Sequence, residues 1–319
     1  MEKYLITGFS GFVSQHFLAY LEQLEQYVTV KGIDINEPDF NYTNYRSVKC
    51  SFNKIDLLDK SQVDNVIYQF QPNYILHLAS YSSVAFSWKH PVTSFSNNTN
   101  IFLNLLEQVR SLDIRCRILS IGSSEEYGNV QYADMPLTEE HSLKPVSPYA
   151  VARVSQEMLS KIYVDGYGQD VVLTRSFNHI GPGQRDIFVI SSFARQLAEI
   201  KKFNKKPAII TGDLSIIRDF LDVRDVVKAY YTLFKTGASG EVYNICSGTG
   251  VTLKTIIQMM ARILNIEITT ITNPDLIRPD DNKIIIGSNK KITTATDWQL
   301  GYTLEQSLTD IINYWFDKL

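Results

Sequence analysis

Tyr4-Leu5-Ile6-Thr7-Gly8-Phe9-Ser10-Gly11-Phe12-Val13-Ser14 is the stretch that decides the fold. Its first three residues read as a short strand. Phe12, Val13, Phe17, Leu18, Leu21 and Leu24 then recur at helical spacing, with Ser14, Gln15, Gln23 and Gln26 as polar residues between them. The glycines lie where strand gives way to helix. A pyrophosphate bound there would meet backbone N–H groups and the positive end of the helix dipole, and a side chain would block it. Gly8, Ser10, Gly11, Phe12 and Val13 are therefore candidate dinucleotide contacts. The spacing is Gly-x-x-Gly-x-x-Ser, with Ser14 in the third small position, and taken alone it equally fits an ordinary strand–helix turn.

Outward from this unit the pattern repeats. Val28 to Ile33, Val48 to Phe52, Tyr74 to Leu78, Cys116 to Ile121 and Val171 to Arg175 read as strands, with helices after Pro91 and Pro148. Such alternation predicts an α/β protein with a Rossmann-type doubly wound parallel sheet. Asp34 ends the second strand, where a carboxylate accepts hydrogen bonds from the adenosine ribose and repels a 2′-phosphate, so NAD is favoured and NADP stays possible. The alternative for Asp34 is a solvated strand end. Asp56, at the end of the third strand, would lie near the adenine or serve as an N-cap.

Beyond about residue 180 the alternation loosens. With roughly 150 residues per domain, the 319-residue chain suggests two lobes. We expect a dinucleotide-binding domain over 1–176, with 222–246 (a helix from Asp222 to Phe234 and a strand from Glu241 to Ile245) packing back on it. A smaller C-terminal α/β domain over 177–221 and 247–319 would bind substrate. Hydrophobic residues at 44% and charged residues at 20% are globular values, which excludes a disordered or fibrous chain. A net charge of −3 with no Lys/Arg-rich run argues against a nucleic-acid partner. No apolar stretch approaches the ~20 residues needed to span a bilayer. Cys50, Cys116 and Cys246 show neither metal nor disulfide spacing and read as buried apolar residues of a cytoplasmic protein.

Two polar groups stand at the expected sheet edge. Ser147-Pro148-Tyr149-Ala150-Val151-Ala152-Arg153 sets Tyr149 and Arg153 four apart on one helix face. A cation beside a phenol favours the phenolate, as an acid/base acting on an alcohol or carbonyl requires, although exposed Tyr/Arg pairs are also common on helices. Gly122-Ser123-Ser124-Glu125-Glu126-Tyr127-Gly128 follows the fifth strand. There a serine would share a carbonyl oxygen with Tyr149 and a glutamate would move a proton at a neighbouring carbon; the alternative is a hydrophilic loop.

Together with His77-Leu78-Ala79, these motifs resemble the extended short-chain dehydrogenase/reductases that act on nucleotide sugars. Ser176 to Gln184, Arg218 to Asp225 and Ile277-Arg278-Pro279-Asp280 resemble the GDP-sugar branch, most of all the GDP-4-keto-6-deoxy-D-mannose reductases, with the GDP-mannose 4,6-dehydratases as near cousins. The resemblance implies that Ser123 or Ser124 hydrogen-bonds the sugar C4 oxygen and Tyr149 transfers its proton. It places Glu125 where the dehydratases keep their acid/base. It also implies that Leu57, Leu78, Ala79, Asn98 and His179 lie beside the dinucleotide, that Ser82 and Asn178 shape the sugar site, and that Arg218 and Arg278 hold the GDP diphosphate. Taken without the family, Arg218 fits a charged surface ladder equally well.

The family motif is Tyr-x-x-x-Lys, and this chain has Arg153 at the lysine position. Arginine keeps the charge but is bulkier and does not release its proton. The expected function is reduction of a GDP-4-keto-6-deoxy-hexose or heptose by a homodimer. The alternatives are a 4,6-dehydratase, a C4-dehydrogenase or epimerase with tightly bound NAD, and a non-catalytic nucleotide-sugar-binding protein. Ser123 stands where dehydratases tend to have Thr, and the chain lacks their longer nucleotide-contacting insertion; both favour the reductase.

Overall fold

The computed structural model describes residues 1–277 and 282–319. Its centre is a parallel sheet built from β1 (Glu2–Thr7), β2 (Val28–Asp34), β3 (Val48–Lys54), β4 (Tyr74–His77), β5 (Arg117–Ser123), β6 (Asp170–Ser176) and β10 (Val242–Ile245). These seven strands lie in the order β10-β6-β5-β4-β1-β2-β3. Tyr4, Leu5 and Ile6 are fully buried in β1, because a strand covered on both faces reads as a continuous apolar run. The order reverses between β1 and β4. In a doubly wound sheet that reversal opens a crevice at the carboxyl ends of the strands, where ligands bind.

One face is covered by α1 (Phe12–Gln23) and α7 (Val223–Thr236), whose Phe17, Leu18, Leu21, Tyr230 and Leu233 share a core with the sheet and with Trp298. The other is covered by α2 (Lys60–Phe70), α4 (Pro91–Ser111) and α5 (Pro148–Tyr167), which bury Val63, Ile67, Phe102, Leu105 and Tyr163. Each such side chain contributes roughly 1.5–3 kcal/mol by leaving water. The short α3 (Val84–Lys89) leads into α4. Asp59 caps α2 through Ser61 and Gln62, and Ser147 caps α5 through Ala150.

A third core joins α6 (Val189–Phe203), α8 (Leu253–Ile263) and α10 (Leu304–Lys318) through Phe193, Leu197, Ile256, Met260, Leu308 and Ile312. It backs a small sheet whose hub is β9 (Ile217–Asp222). Parallel to β9 run β7 (Asn178–Ile180) and β13 (Ile284–Ile285), and antiparallel to it β11 (Gly250–Thr252). Strands β8 (Ala208–Thr211) and β12 (Thr269–Thr272) form a separate parallel pair, and α9 (Lys290–Ala295) packs beside β10. The doubly wound fold class stands as expected.

Several local readings change. Ser14 is fully buried and not on a polar face, because its hydroxyl donates back to the Gly8 carbonyl at 3.3 Å. Strand β3 ends at Lys54, so Asp56 lies beyond it, and Asp56 takes the Leu58 N–H at 2.9 Å in a local turn while Asp59 caps the helix. Lys201 to Phe203 belong to the last turn of α6 and not to a connector. Only Cys246 is fully buried; Cys50 and Cys116 are half-buried, and burial pushes both of those thiols up to about 12.

Candidate active site

The glycine turn is built by backbone approach. Gly8 has φ +67°, and a Cβ there would lie 2.5 Å from the Ala79 nitrogen. Gly11 donates to the Gly8 carbonyl at 3.1 Å and begins α1 with no side-chain cap, so no side chain satisfies the helix's first N–H groups. The Asp34 carboxylate reaches this turn, accepting from Ser10 N at 3.0 Å and from Asn36 N at 2.9 Å. Across the crevice, Leu78 N and Ala79 N donate to the Thr7 carbonyl and hydroxyl. Thr7 Oγ1 also meets His77 Nδ1 at 2.9 Å, and burial beside the Arg153 charge pushes this imidazole down to about 3. Leu57 is buried, and its carbonyl takes the Asn104 amide at 3.0 Å.

Beyond β4, Asn98 braces the loop that carries Ser82. Its Oδ1 accepts from Tyr81 N at 2.8 Å and its Nδ2 donates to Tyr81 O at 3.2 Å, so both ends of the amide serve the chain's own backbone. Ser82 itself is exposed. Asn178 and His179 lie in β7, and the His179 ring stacks on Phe12 at 5.7 Å, joining β7 to the start of α1. Burial pushes His179 down to about 4.

The serine cluster continues β5 into a single 3₁₀ turn, Ser124–Tyr127. Ser123 Oγ accepts from Glu125 N at 3.2 Å, which leaves its own O–H proton to be aimed elsewhere, and Ser123 N donates to Glu126 Oε1 at 2.6 Å. Ser123 and Ser124 are buried and Glu125 is half-buried. Glu126 is fully buried. Loss of solvent and the nearby Glu157 charge push its carboxyl up to about 8.

Helix α5, which carries Tyr149 and Arg153, packs against this turn. Tyr149 is 7% exposed and Arg153 5%, so this is not a surface pair. Arg153 Nε donates to the Tyr149 hydroxyl at 3.3 Å, and Nη1 donates to the Ile121 carbonyl at 2.9 Å and to Gln156 Oε1 at 2.7 Å. Behind them a buried ion pair, Arg175 with Glu157 at 2.9 Å, ties β6 to α5. Residues 218–225 are no surface ladder either. Arg218 is buried and donates to the carbonyls of Ile217 at 3.0 Å and Asn282 at 2.7 Å. Asp219 accepts from Ser247, Gly248 and Gly287. Arg278 lies outside the described residues.

Gln156 escaped the sequence reading, because a polar residue beside a motif looks like a solvated neighbour, and Glu126 was read only as one of the two glutamates of the serine cluster, not as its buried acid. The signal for Gln156 was its place three residues after Arg153 on one helix face.

Known proteins resemble this chain along its length. A GDP-6-deoxy-D-mannose reductase of Pseudomonas aeruginosa is 32% identical over 318 residues, 100% of this chain and 98% of that protein. A GDP-6-deoxy-D-talose 4-dehydrogenase of Aggregatibacter actinomycetemcomitans is 27% identical over 91% of this chain and 90% of that one. The solved structure of RMD from Pseudomonas aeruginosa complexed with NADPH superposes with a TM-score of 0.87 at 31% identity, covering 100% of both chains. The family model described as GDP-mannose 4,6 dehydratase matches residues 5–311. On that match, and on the agreement along the whole length, the chain belongs to the GDP-mannose 4,6-dehydratase family.

Proposed function

We propose that this protein is a NAD(P)-dependent reductase acting at C4 of a GDP-linked sugar, reducing a GDP-4-keto-6-deoxy-hexose or heptose in deoxysugar synthesis. The observation that carries the reading is the buried Tyr149–Arg153 pair, at 3.3 Å, on the helix that packs against the serine turn at the carboxyl edge of the sheet. The full-length likeness to a GDP-6-deoxy-D-mannose reductase supports it.

The residues present fit a dinucleotide. A Cβ at Gly8 would fill the approach to Ala79, α1 opens without a side-chain cap, and Asp34 reaches the same turn. Gly8, Ser10, Gly11, Phe12 and Val13 would hold its pyrophosphate. Asp34, Asp56 and Leu57 would hold the adenosine, and Leu78, Ala79, Asn98 and His179 would line the nicotinamide end. When bound, this cofactor supplies the hydride that reaches C4. Tyr149 delivers the proton to the C4 oxygen, and a positioned acid of this kind contributes roughly 10²–10⁴-fold. Arg153 keeps a positive charge beside the phenol and donates to its oxygen. The spare O–H of Ser123, or Ser124, donates to the same oxygen. Glu125 borders the sugar, Ser82 and Asn178 shape its site, and Arg218 and Arg278 hold the diphosphate. In this reading residues 1–176 with 222–246 bind the dinucleotide, and 177–221 with 247–319 bind the nucleotide sugar.

The Asp34 carboxylate repels a 2′-phosphate, so NADH is preferred over NADPH. A second copy of the chain packs on α4 and α5, whose outward residues Val92, Val151, Met158 and Ile162 are exposed. No helix among the described residues is long and apolar enough to cross a membrane. We place the protein in the cytoplasm, where its free thiols stay reduced.

The test offers purified protein GDP-4-keto-6-deoxymannose with NADH or NADPH, and separately GDP-mannose alone. We expect NADH to be consumed with the keto sugar only. A 4-keto product formed from GDP-mannose without added reductant makes the protein a dehydratase instead. No turnover of any GDP-hexose or GDP-heptose rules out both enzymes.

A further inference from the structure

Helix α5 carries a buried polar stripe that the proton transfer by itself does not require. Tyr149, Arg153, Gln156 and Ser160 follow one another at spacings of four, three and four, so all four lie on one helix face, and that face meets Ser120 and Ile121 of β5. Gln156 and Ser160 are 1% and 0% exposed. Polar groups this deep are retained only when paired, and here each has its partner.

The pairing has a direction. Gln156 Nε2 donates to the Ile121 carbonyl at 3.1 Å and to Ser120 Oγ at 2.9 Å, while Ser160 Oγ donates to Ser120 Oγ at 3.1 Å. A carbonyl only accepts and a guanidinium only donates, so the Gln156 amide can sit one way round: nitrogen towards Ile121, oxygen towards Arg153. Arg153 Nη1 is thereby clamped between two acceptors, Ile121 O and Gln156 Oε1. The guanidinium then turns its Nε edge, and not its Nη fork, to the Tyr149 hydroxyl.

The clamp answers a problem of length. A lysine ends in one nitrogen, where arginine has Cζ, and the two Nη groups reach one bond further. A guanidinium left free would present several donors in shifting orientations to the phenol. We propose that Gln156 is a positioning residue for Tyr149, acting through Arg153, and that it is what lets arginine serve at the position where this family's motif has lysine. The proposal rests on the reductase reading for its kinetic arm and on no reading of function for its spectroscopic arm.

In the kinetic arm, Gln156→Met, which keeps the volume and removes the acceptor, lowers kcat with the keto sugar about tenfold to a hundredfold, the scale of a misplaced catalytic group. The KM for the sugar and the Kd for NADH stay within twofold. The same substitution made in Arg153→Lys protein changes kcat less than twofold, because an ammonium has no fork to steer. Ser120→Ala, a milder change, loosens the amide from the other side and costs about threefold in the arginine protein only. A role confined to packing would lower both backgrounds by the same factor, and that result overturns the proposal.

In the spectroscopic arm, the Arg153 Nε–H resonance of ¹⁵N-arginine protein is assigned by its absence in Arg153→Lys. It exchanges slowly with water in the parent chain and at least tenfold faster in Gln156→Met. An unchanged exchange rate overturns the proposal whatever the substrate proves to be. Slow exchange lost on substitution, in a protein that turns over no GDP-4-keto sugar, upholds the clamp and removes only the reductase reading.

Discussion

The glycine turn after β1 and the tyrosine site on α5 lie on the same sheet edge and are built by opposite means. The turn works by leaving side chains out: Gly8 sits with positive φ against the Ala79 backbone, and the helix start is left uncapped. The tyrosine site works by filling space with buried polar groups, each holding the next from Ser120 through Gln156 and Arg153 to Tyr149. A backbone cradle has no titratable part and no intermediate setting, so it either fits or fails. A side-chain network can be weakened by degrees, and the buried Glu126 of the serine turn beside it responds to pH.

Substitutions separate the two regions. The largest effect belongs to Tyr149→Phe, which removes the acid but keeps the ring: kcat with the keto sugar falls by about 10²–10⁴ while the Kd for NADH, read by fluorescence titration, stays near that of the parent. If both parameters fall together, the two regions are not separable. Gly8→Ala does the reverse. Its methyl group meets backbone at 2.5 Å in a strained conformation, so NADH binding weakens by about a hundredfold, roughly 3 kcal/mol, with a lower melting temperature. Binding within threefold of the parent would mean that the cradle yields as side chains do.

The smallest effect sharpens the pH contrast. Burial raises Glu126 from its ordinary 4.5 to about 8, so the folded chain holds this proton more tightly than the unfolded one. The resulting stability is complete below about pH 4.5 and is lost as pH rises towards 8. Glu126→Gln stays neutral and keeps the oxygen that accepts from Ser123 N. The variant and parent should melt together at pH 4, and the variant several degrees higher at pH 9. Equal melting at both pH values would show that Glu126 is already ionised in the fold.

Much of the first region was legible because its signals are local. Strands β1 to β6 announce themselves as apolar runs between helical periods, and the turn residues sit where strand meets helix. The short strands β7, β11 and β13 were not legible. With two or three residues each, they exist only because β9 offers edges to pair with. The same holds for the polar stripe. Gln156 has the composition of a solvated helix face, and it is an interior residue because Ser120 and Ile121 of β5 and Arg153 satisfy its amide. Arg218 and Asp219 left a surface ladder open as an alternative for a similar reason, since backbone groups that satisfy them come from distant loops.

Strand β10 has a consequence for how the chain is made. It closes the outer edge of β6, yet it is synthesised only after the stretch that forms β7 to β9, α6 and α7. At ~5–20 residues per second, β6 waits several seconds with a bare hydrogen-bonding edge. Such an edge is a template for pairing with another nascent chain. Slower growth temperatures and chaperone supply therefore act on this protein through one late strand, and a chain cut short before Glu241 carries that open edge permanently.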